Sequence, residues 1–246
     1  MPKKNLKIAV FIQARYNSTR LPGKLFLPLS GKSTLIHIIE RVLMLKKFIN
    51  YIVVLVPKEE KELIRSHIKN YSNVIISGGD KENVLKRFYD ANKKIQSDII
   101  IRLTADNPLV DTLHLKKALV KHIKLQSDYT IYKYLPLGCG FEIISKNALE
   151  KCFKNAKDSY QLEHVTPYIR ENRNEFRIFE LVPYKFYRHP DYRLTIDEEP
   201  DYQLMKIIFQ NLYKGKPLRL RKVIKFLNEH PELLKINKEV KQVIVP

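Results

Sequence analysis

Residues 13–24, which read QARYNSTRLPGK, carry the residue types that bind a polyphosphate. Two arginines, a lysine, two hydroxyl side chains and a Pro-Gly turn fall within this one segment. It follows an apolar run at 8–12 that predicts a buried strand. Fixed cations and backbone N–H groups in a loop at a strand end suit phosphate oxygens, so the segment predicts a nucleotide-dependent enzyme. The alternative is an ordinary exposed basic loop.

The next segment, Gly31-Lys32-Ser33-Thr34, resembles the end of a P-loop. Its first glycine would have to stand at position 26, which is Phe26, so the segment is not a Walker A motif. We predict instead a tight turn at Gly31 and a helix N-cap at Ser33.

Two acidic residues follow short apolar runs elsewhere in the chain. Asp106 comes after the run at 99–101, and Asp197 comes after 194–196. Two carboxylates, together with phosphate oxygens and water, suit Mg²⁺. The alternatives are that Asp106 turns the chain and that Asp197 caps a helix beginning near Glu198; for Asp111 we favour a helix cap.

Two further segments could contribute to a site. A Gly-Gly turn at 78–79 ends a predicted strand, where a backbone could approach a base closely, although an ordinary strand–helix turn explains it nearly as well. Residues 163–168 contain His164 in a helical region, where a lone histidine is more often packed or capping than catalytic.

The composition is that of a globular protein. Hydrophobic residues make up 44% and aromatic residues 10% of the 246 residues, and no apolar run reaches the length of a membrane span. Cys139 and Cys152 have no metal-binding spacing and form no disulfide framework. Because residues 1–4 also lead into the first strand without a cleavage pattern, we expect a cytoplasmic protein.

The formal net charge of +19 comes largely from lysines scattered over the predicted helices. Scattered lysine indicates a solvated surface, and its field would help to gather anionic substrates. The less favoured interpretation is a nucleic-acid-binding module, supported by the charge and by the basic and aromatic run at 184–193.

The first 125 residues alternate between strand and helix patterns. Strands are predicted at 6–12, 51–56, 73–76 and 98–103, and helices at about 33–47, 58–69, 81–95 and 112–124. Apolar strands that alternate with helices indicate a parallel sheet covered on both faces, with ligands beyond the carboxyl ends of its strands.

After residue 125 the pattern indicates an antiparallel or mixed extension of the same sheet. Strands are predicted at 128–134, 140–144, 176–182 and 192–196, and helices at 146–155, 160–171, 198–213 and 219–229. We expect one domain over 1–246, an acceptor-side and arm region at about 131–195, and a basic tail at 235–246.

Residues 13–24 resemble the signature of the cytidylyltransferases that make CMP-sugars, including the 3-deoxy-manno-octulosonate and acylneuraminate enzymes. Segments 78–88, 102–109, 163–168 and 194–197 resemble, in order, those of the spore-coat-polysaccharide branch, and the resemblance spans roughly 7–230. It implies an α/β nucleotide-diphospho-sugar transferase fold: a Rossmann-like three-layer fold with a mixed, mostly parallel sheet and a small antiparallel dimerisation arm. It also implies Mg²⁺ and a homodimer.

The resemblance also implies residue roles. Arg15, Lys24 and Asp106 would be catalytic, and Arg15, Ser18, Arg20 and Lys24 would bind the triphosphate. Gln13, Ala14 and the 78–83 loop, which contains Gly78, Asp80 and Asn83, would surround cytosine. Asp106 and Asp197 would bind the metal, and Glu142, Glu163 and His164 would face the acceptor. One position departs from the branch, because Gly140 stands where an aspartate is usual.

The implied function is the transfer of CMP from CTP to a sugar acid or a related anionic acceptor, with release of pyrophosphate, for surface polysaccharide synthesis. We expect CTP and the small acceptor as partners, and neither nucleic acid nor a membrane. The main alternative on the same fold is a nucleotide-sugar-dependent glycosyltransferase.

Overall fold

The computed structural model describes residues 6–241 and is built on one seven-stranded sheet of order β5-β4-β1-β6-β8-β7-β9. The strands are β1 Ile8–Gln13, β2 Pro28–Leu29, β3 Lys32–Ser33, β4 Tyr51–Pro57, β5 Val74–Gly79, β6 Ile99–Thr104, β7 Tyr129–Tyr132, β8 Glu142–Ser145 and β9 Ile178–Leu181. The helices are α1 Thr34–Leu43, α2 Lys61–His67, α3 Val84–Ile95, α4 Thr112–Leu125, α5 Lys146–Asn155, α6 Ser159–His164, α7 Pro167–Glu171, α8 Glu199–Leu212 and α9 Leu220–Glu229.

The mixed, mostly parallel sheet predicted from the sequence is confirmed. β1 pairs in parallel with β4 and β6, β4 with β5, and β7 with β9, whereas β8 runs antiparallel to β6 and β7. The register places Gln13 opposite Thr104 at the carboxyl ends of β1 and β6. The loops that follow these two strands therefore start side by side.

Both faces of the sheet are covered, as the unbroken apolar strands require. Val10 and Ile12 of β1 pack into the cluster that contains residues of α1, α4, α8 and α9. Ala9 and Phe11 point the other way and pack with residues of α3 and α5. Alternate side chains of a single strand thus contribute to two hydrophobic layers.

The antiparallel pair β2–β3 is a small separate hairpin. Ser30 and Gly31 both have positive φ at its turn, as a two-residue hairpin turn requires, and Ser33 caps α1 by accepting from the Ile36 N–H. This hairpin lies at 28–33 and not in the predicted arm region. The described strands at 131–195 pair in the main sheet, so a dimerisation arm there remains a prediction.

Two predicted elements are wrong. Residues 192–196 form no strand, because their backbone bonds to two different loops: the Leu194 N–H donates to Leu137 O and the Ile196 N–H to Asp106 O. The single helix predicted at 160–171 is two helices, α6 and α7, because Pro167 lacks the N–H that a continuous helix needs and Val165 has a positive φ of 71°.

The predicted ends of the chain fall partly outside the described residues. The last five residues of the predicted basic tail, 242–246, and the leading residues 1–4 are among those not described. Within residues 6–241, no helix combines the length and apolar character that crossing a bilayer requires.

Gly138 provides a stability test of this packing. Its φ is +88°, and an added Cβ would lie 2.3 Å from Leu194 O. We expect Gly138→Ala to lower the free energy of unfolding by about 3 kcal/mol or more, because the backbone of the 192–196 segment must move. Gly31 has a similar φ of +86° but open space around a Cβ, so Gly31→Ala isolates the backbone strain and should cost about 1–2 kcal/mol. Urea unfolding measures both, and equal losses would contradict the close packing.

Candidate active site

A carboxylate from a distant segment of the chain holds the backbone of the loop after β1. Glu60 accepts hydrogen bonds from the backbone N–H groups of Tyr16, at 2.7 Å, and Asn17, at 3.2 Å. Gly23, with φ of +68°, then turns the chain into a short 3₁₀ helix that begins at Lys24. The sequence gives no signal for Glu60, because its role depends on a contact with a loop more than forty residues away.

Lys24 lies between the two aspartates that were predicted to bind a metal. Its Nζ donates to Asp106 Oδ2 at 2.8 Å and to Asp197 Oδ1 at 2.9 Å. Arg20 adds a contact of 3.1 Å to Asp197. The cationic loop therefore meets Asp106, which follows β6, and Asp197, which follows the non-strand segment 192–196.

Neighbouring groups hold the remaining oxygen of each aspartate. Asp106 Oδ1 accepts from the Thr104 hydroxyl at 2.6 Å, and that hydroxyl accepts from the Asn107 side-chain amide at 2.8 Å. Asp197 Oδ2 accepts from Arg193 Nη2 at 3.0 Å. Each carboxylate thus has one oxygen fixed by the protein and the other facing Lys24.

Charge and burial act against each other in this cluster. Burial alone would lower the pKa of Lys24, but the charges of Asp106 and Asp197 outweigh it and raise the pKa. Burial alone would raise the pKa of Asp106, but Lys24 and the hydrogen bond from Thr104 lower it. The cluster is therefore an ammonium paired with carboxylates at neutral pH.

The two carboxylates fit a divalent cation whose remaining ligands come from a nucleotide and water. Asp106 and Asp197 each direct one oxygen to a common point that already attracts a positive charge. Within residues 6–241, no group of three or more Asp, Glu, His or Cys side chains could enclose a metal. Two carboxylates suffice for Mg²⁺ only when phosphate oxygens and water complete its shell.

A cavity of about 250 Å³ surrounds this cluster. Its lining includes these predicted site residues: Gln13, Ala14, Arg15, Ser18, Arg20, Lys24, Asp106, Glu163, His164 and Asp197. Lys81 and Glu82 of the predicted cytosine loop also line it, together with residues for which no role was predicted: Thr19, Leu25, Val84, Arg87, Arg102, Thr104 and Ala105.

The predicted cytosine loop is positioned differently from the rest. Gly78 pairs with Val56 within the sheet, the Asp80 carboxylate accepts from the N–H groups of Glu82 and Asn83, and Asn83 caps α3. None of Gly78, Asp80 and Asn83 lines the cavity; their neighbours Lys81, Glu82 and Val84 do. Contact between these three residues and cytosine remains a prediction.

The Arg87 side chain fixes this loop through hydrogen bonds to its backbone. It is buried and donates to Asp80 O at 2.9 Å and to Lys81 O at 3.0 Å. A Cβ on Gly79 would lie 2.8 Å from Arg87 Cγ, which explains why a glycine stands there. The predicted turn at 78–79 is therefore wrong: both glycines end strand β5, and Gly79 allows close packing against Arg87.

Glu142 lies behind the cavity wall and does not line the cavity. It pairs with Arg102 and accepts from the hydroxyls of Tyr129 and Thr166. Burial alone would raise the pKa of Glu142, but Arg102 and the two hydroxyls lower it. Arg102 does line the cavity and donates to Gln13 Oε1 at 3.1 Å, so Glu142 positions Arg102.

Gly140, which stands in place of the usual aspartate, has no heavy atom within 4 Å of an added Cβ. A side chain at this position would therefore meet no steric obstacle. The packing of this segment does not require a glycine at position 140, in contrast to position 138.

Known proteins resemble this chain over most of its length. The cytidylyltransferase family matches residues 9–234. The spore coat polysaccharide biosynthesis protein SpsF of Bacillus subtilis is 35% identical over 92% of this chain and 95% of its own. An 8-amino-3,8-dideoxy-manno-octulosonate cytidylyltransferase of Shewanella sp. ANA-3 is 26% identical over 59% of this chain and 57% of its own. A solved cytidylyltransferase structure from Leptospira borgpetersenii covers 98% of this chain and all of its own, with a TM-score of 0.86 and 30% identity.

The fold, the cationic loop and the paired aspartates thus define a nucleotidyltransferase. The chain belongs to the cytidylyltransferase family.

The charge cluster predicts a pH-dependent stability. Lys24→Met removes the cation that lowers the pKa of Asp106, so we expect the unfolding free energy at neutral pH to fall by about 2 kcal/mol. The contribution of a carboxylate with a lowered pKa is present above its unfolded pKa and is lost as the pH falls through its folded pKa. The difference between wild type and variant should therefore shrink below about pH 4.

Urea titrations at a series of pH values test this expectation. Lys32→Met is the matched control, because it removes a partly exposed ion pair with Glu40 and should cost less than about 1 kcal/mol. A Lys24→Met effect that does not change with pH would contradict the assigned pairing.

Proposed function

We propose that this protein transfers CMP from CTP to a sugar acid or a related anionic acceptor and releases pyrophosphate. The observation that carries the proposal is the convergence of Lys24, Asp106 and Asp197 beside a cationic strand-end loop, in a chain of the cytidylyltransferase family. The surface polysaccharide role is supported by the likeness to SpsF.

The triphosphate would lie against the loop after β1. Arg15 and Ser18 line the cavity there, and within the described part of the chain Arg15 has no ion-pair or hydrogen-bond partner. An unpaired guanidinium beside Arg20 and Lys24 offers the donors that phosphate oxygens require. The base would then lie against Gln13, Ala14 and the Lys81–Val84 side of the cavity.

The acceptor oxygen would attack the α-phosphate in line, with pyrophosphate leaving on the opposite side. Negative charge then grows on the phosphate oxygens and the leaving group, and Arg15, Arg20 and Lys24 stabilise it. Mg²⁺ held by Asp106 and Asp197 would polarise the phosphate oxygens. Thr104 and Arg193 keep these carboxylates oriented, so little reorganisation is needed.

An anionic acceptor is supported by the wall formed by Arg102, Glu163 and His164. Arg102 is held by Glu142 and Gln13 at the edge of the cavity and could pair with a carboxylate. The Shewanella relatives act on an octulosonate, which is a sugar acid. These two observations together favour a sugar acid.

The direct test measures pyrophosphate release from CTP and Mg²⁺ with a panel of sugar acids. We expect release only when a suitable acceptor is present, and a decrease of about 10²–10³ in rate for Lys24→Ala and for Asp106→Asn. Lys32→Ala, outside the cavity, is the matched control. Wild-type turnover in both site variants would defeat the assignment. Stronger thermal stabilisation by UDP- or GDP-sugars than by CTP would favour glycosyl transfer instead.

A homodimer is the further partner that the resemblance implies. An exposed groove of about 640 Å³ supports it: Val120 is 61% and Tyr184 62% exposed. They line the groove together with Phe48, Val182 and the basic side chains of Lys116, Lys117, Lys121, Lys185 and Arg188. Contiguous exposed apolar surface marks interaction sites in soluble proteins. A second copy of the chain is the partner we propose for this face.

Sedimentation equilibrium tests the dimer. We expect the wild type to have twice the mass of the chain at micromolar concentration, and the double variant Val120→Glu/Tyr184→Glu to have the mass of a monomer, since charges are costly in an apolar interface. Leu63→Glu changes an exposed apolar residue that does not line the groove and should leave the dimer intact. A monomeric wild type would contradict the proposal.

A further inference from the structure

His164 differs from the buried histidines of this protein in its bonding. The rings of His37 and His122 bond to Leu29 O at 2.7 Å and to the Thr130 hydroxyl at 2.9 Å. The half-buried His164 ring lines the cavity, and within residues 6–241 neither of its nitrogens has a hydrogen-bond partner. The ring contacts that of Tyr160, at 4.6 Å between centroids. This imidazole is therefore positioned by packing and has nitrogens available to a ligand.

The backbone next to His164 is strained. Val165 has φ of +71°, although it is β-branched and fully buried. Such a conformation is unfavourable for a β-branched residue and persists only where surrounding contacts impose it. Here the Val165 N–H donates to Gln161 O, and the next residue, Thr166, is tied through its hydroxyl to Glu142. These contacts fix the end of α6 and direct His164 to the cavity.

The proposed reaction requires a group that accepts a proton from the acceptor hydroxyl. Lys24 Nζ already donates to both Asp106 and Asp197 and offers no acceptor position. The other oxygen of each aspartate is engaged by Thr104 or by Arg193. The arginines of the cavity remain protonated. Of the side chains proposed to face the acceptor, Glu163 and His164 remain as candidates.

The surroundings of His164 favour its neutral form. Burial lowers its pKa below 6.5, and the nearby charges of Arg102 and Arg170 lower it further, whereas Glu163 and Glu142 raise it. The ring is therefore unprotonated at neutral pH and has a lone pair available. Glu163 is exposed to solvent, and its influence on the imidazole is smaller than that of burial.

We propose that His164 is the general base of the reaction, an inference that rests on the proposed function. As the acceptor oxygen forms its bond to the α-phosphorus of CTP, the acceptor O–H bond breaks and its proton passes to a ring nitrogen of His164. The bond from the α-phosphorus to the bridging oxygen breaks, and pyrophosphate leaves with that electron pair. The imidazolium then returns the proton to water.

The test follows pyrophosphate release across pH with 3-deoxy-manno-octulosonate and N-acetylneuraminate as probe acceptors. We expect kcat of the wild type to fall as the pH drops below about 6.5, because the base becomes protonated. His164→Gln should lose about 10²–10⁴ in kcat and also lose this acid limb, while its affinity for CTP stays unchanged. Added imidazole should partly restore the rate of His164→Ala.

Two variants separate this role from its alternatives. Glu163→Gln should keep the acid limb, and His230→Gln, on an exposed side chain outside the cavity, should behave as wild type. Wild-type kcat in His164→Gln, or loss of the acid limb in Glu163→Gln alone, would overturn the inference but leave the proposed function intact. No turnover by the wild type with any sugar acid would overturn the proposed function, and this inference with it.

An NMR titration checks the inference without an acceptor. With ¹⁵N-labelled histidine, we expect His164 to titrate below the ordinary value of about 6.5. An imidazole that is still charged at pH values above neutrality would overturn the proposal.

Discussion

The ammonium of Lys24, shared by Asp106 and Asp197, is the interaction on which the rest of this structure depends. It joins three segments that are far apart in the chain at the carboxyl edge of the sheet. Burying these charges would be costly if any one of them lacked its partner. A single relative arrangement is therefore imposed on the loop after β1, the loop after β6 and the start of α8. The pairing of β1 with β6 makes that geometry attainable, because it starts two of the loops side by side.

A further set of contacts holds this geometry without filling the cavity. Glu60 supports the backbone of the cationic loop, Thr104 fixes Asp106, and Arg193, itself held by Asp201, fixes Asp197. Each carboxylate is left with one oxygen directed at the centre. Groups that are oriented before the reaction do not have to reorganise as charge develops on a phosphate, which is how a site of this kind lowers a barrier.

Much of the parallel half of the sheet could be predicted from the sequence, because its strands are buried on both faces and appear as apolar runs followed by polar loops. The strand-end position of Asp106 followed from the same pattern. Glu60 and Arg87 could not be found this way, because each acts on backbone groups that only the fold brings to it. Residues 192–196 look like a strand but bond to loops, and Glu142, which was expected at the acceptor, lies behind Arg102. Asp80 and Asn83 satisfy local backbone groups, a role that the sequence alone could not separate from contact with a base.

The most direct test of the central claim is a crystal structure of the protein with CTP and Mn²⁺, with the metal located by its anomalous scattering. We expect the Mn²⁺ to be bound by one oxygen from each of Asp106 and Asp197, and the triphosphate to lie against Arg15, Ser18 and Arg20. A metal and triphosphate bound elsewhere, with the contacts of Lys24 to both aspartates unchanged, would contradict the account.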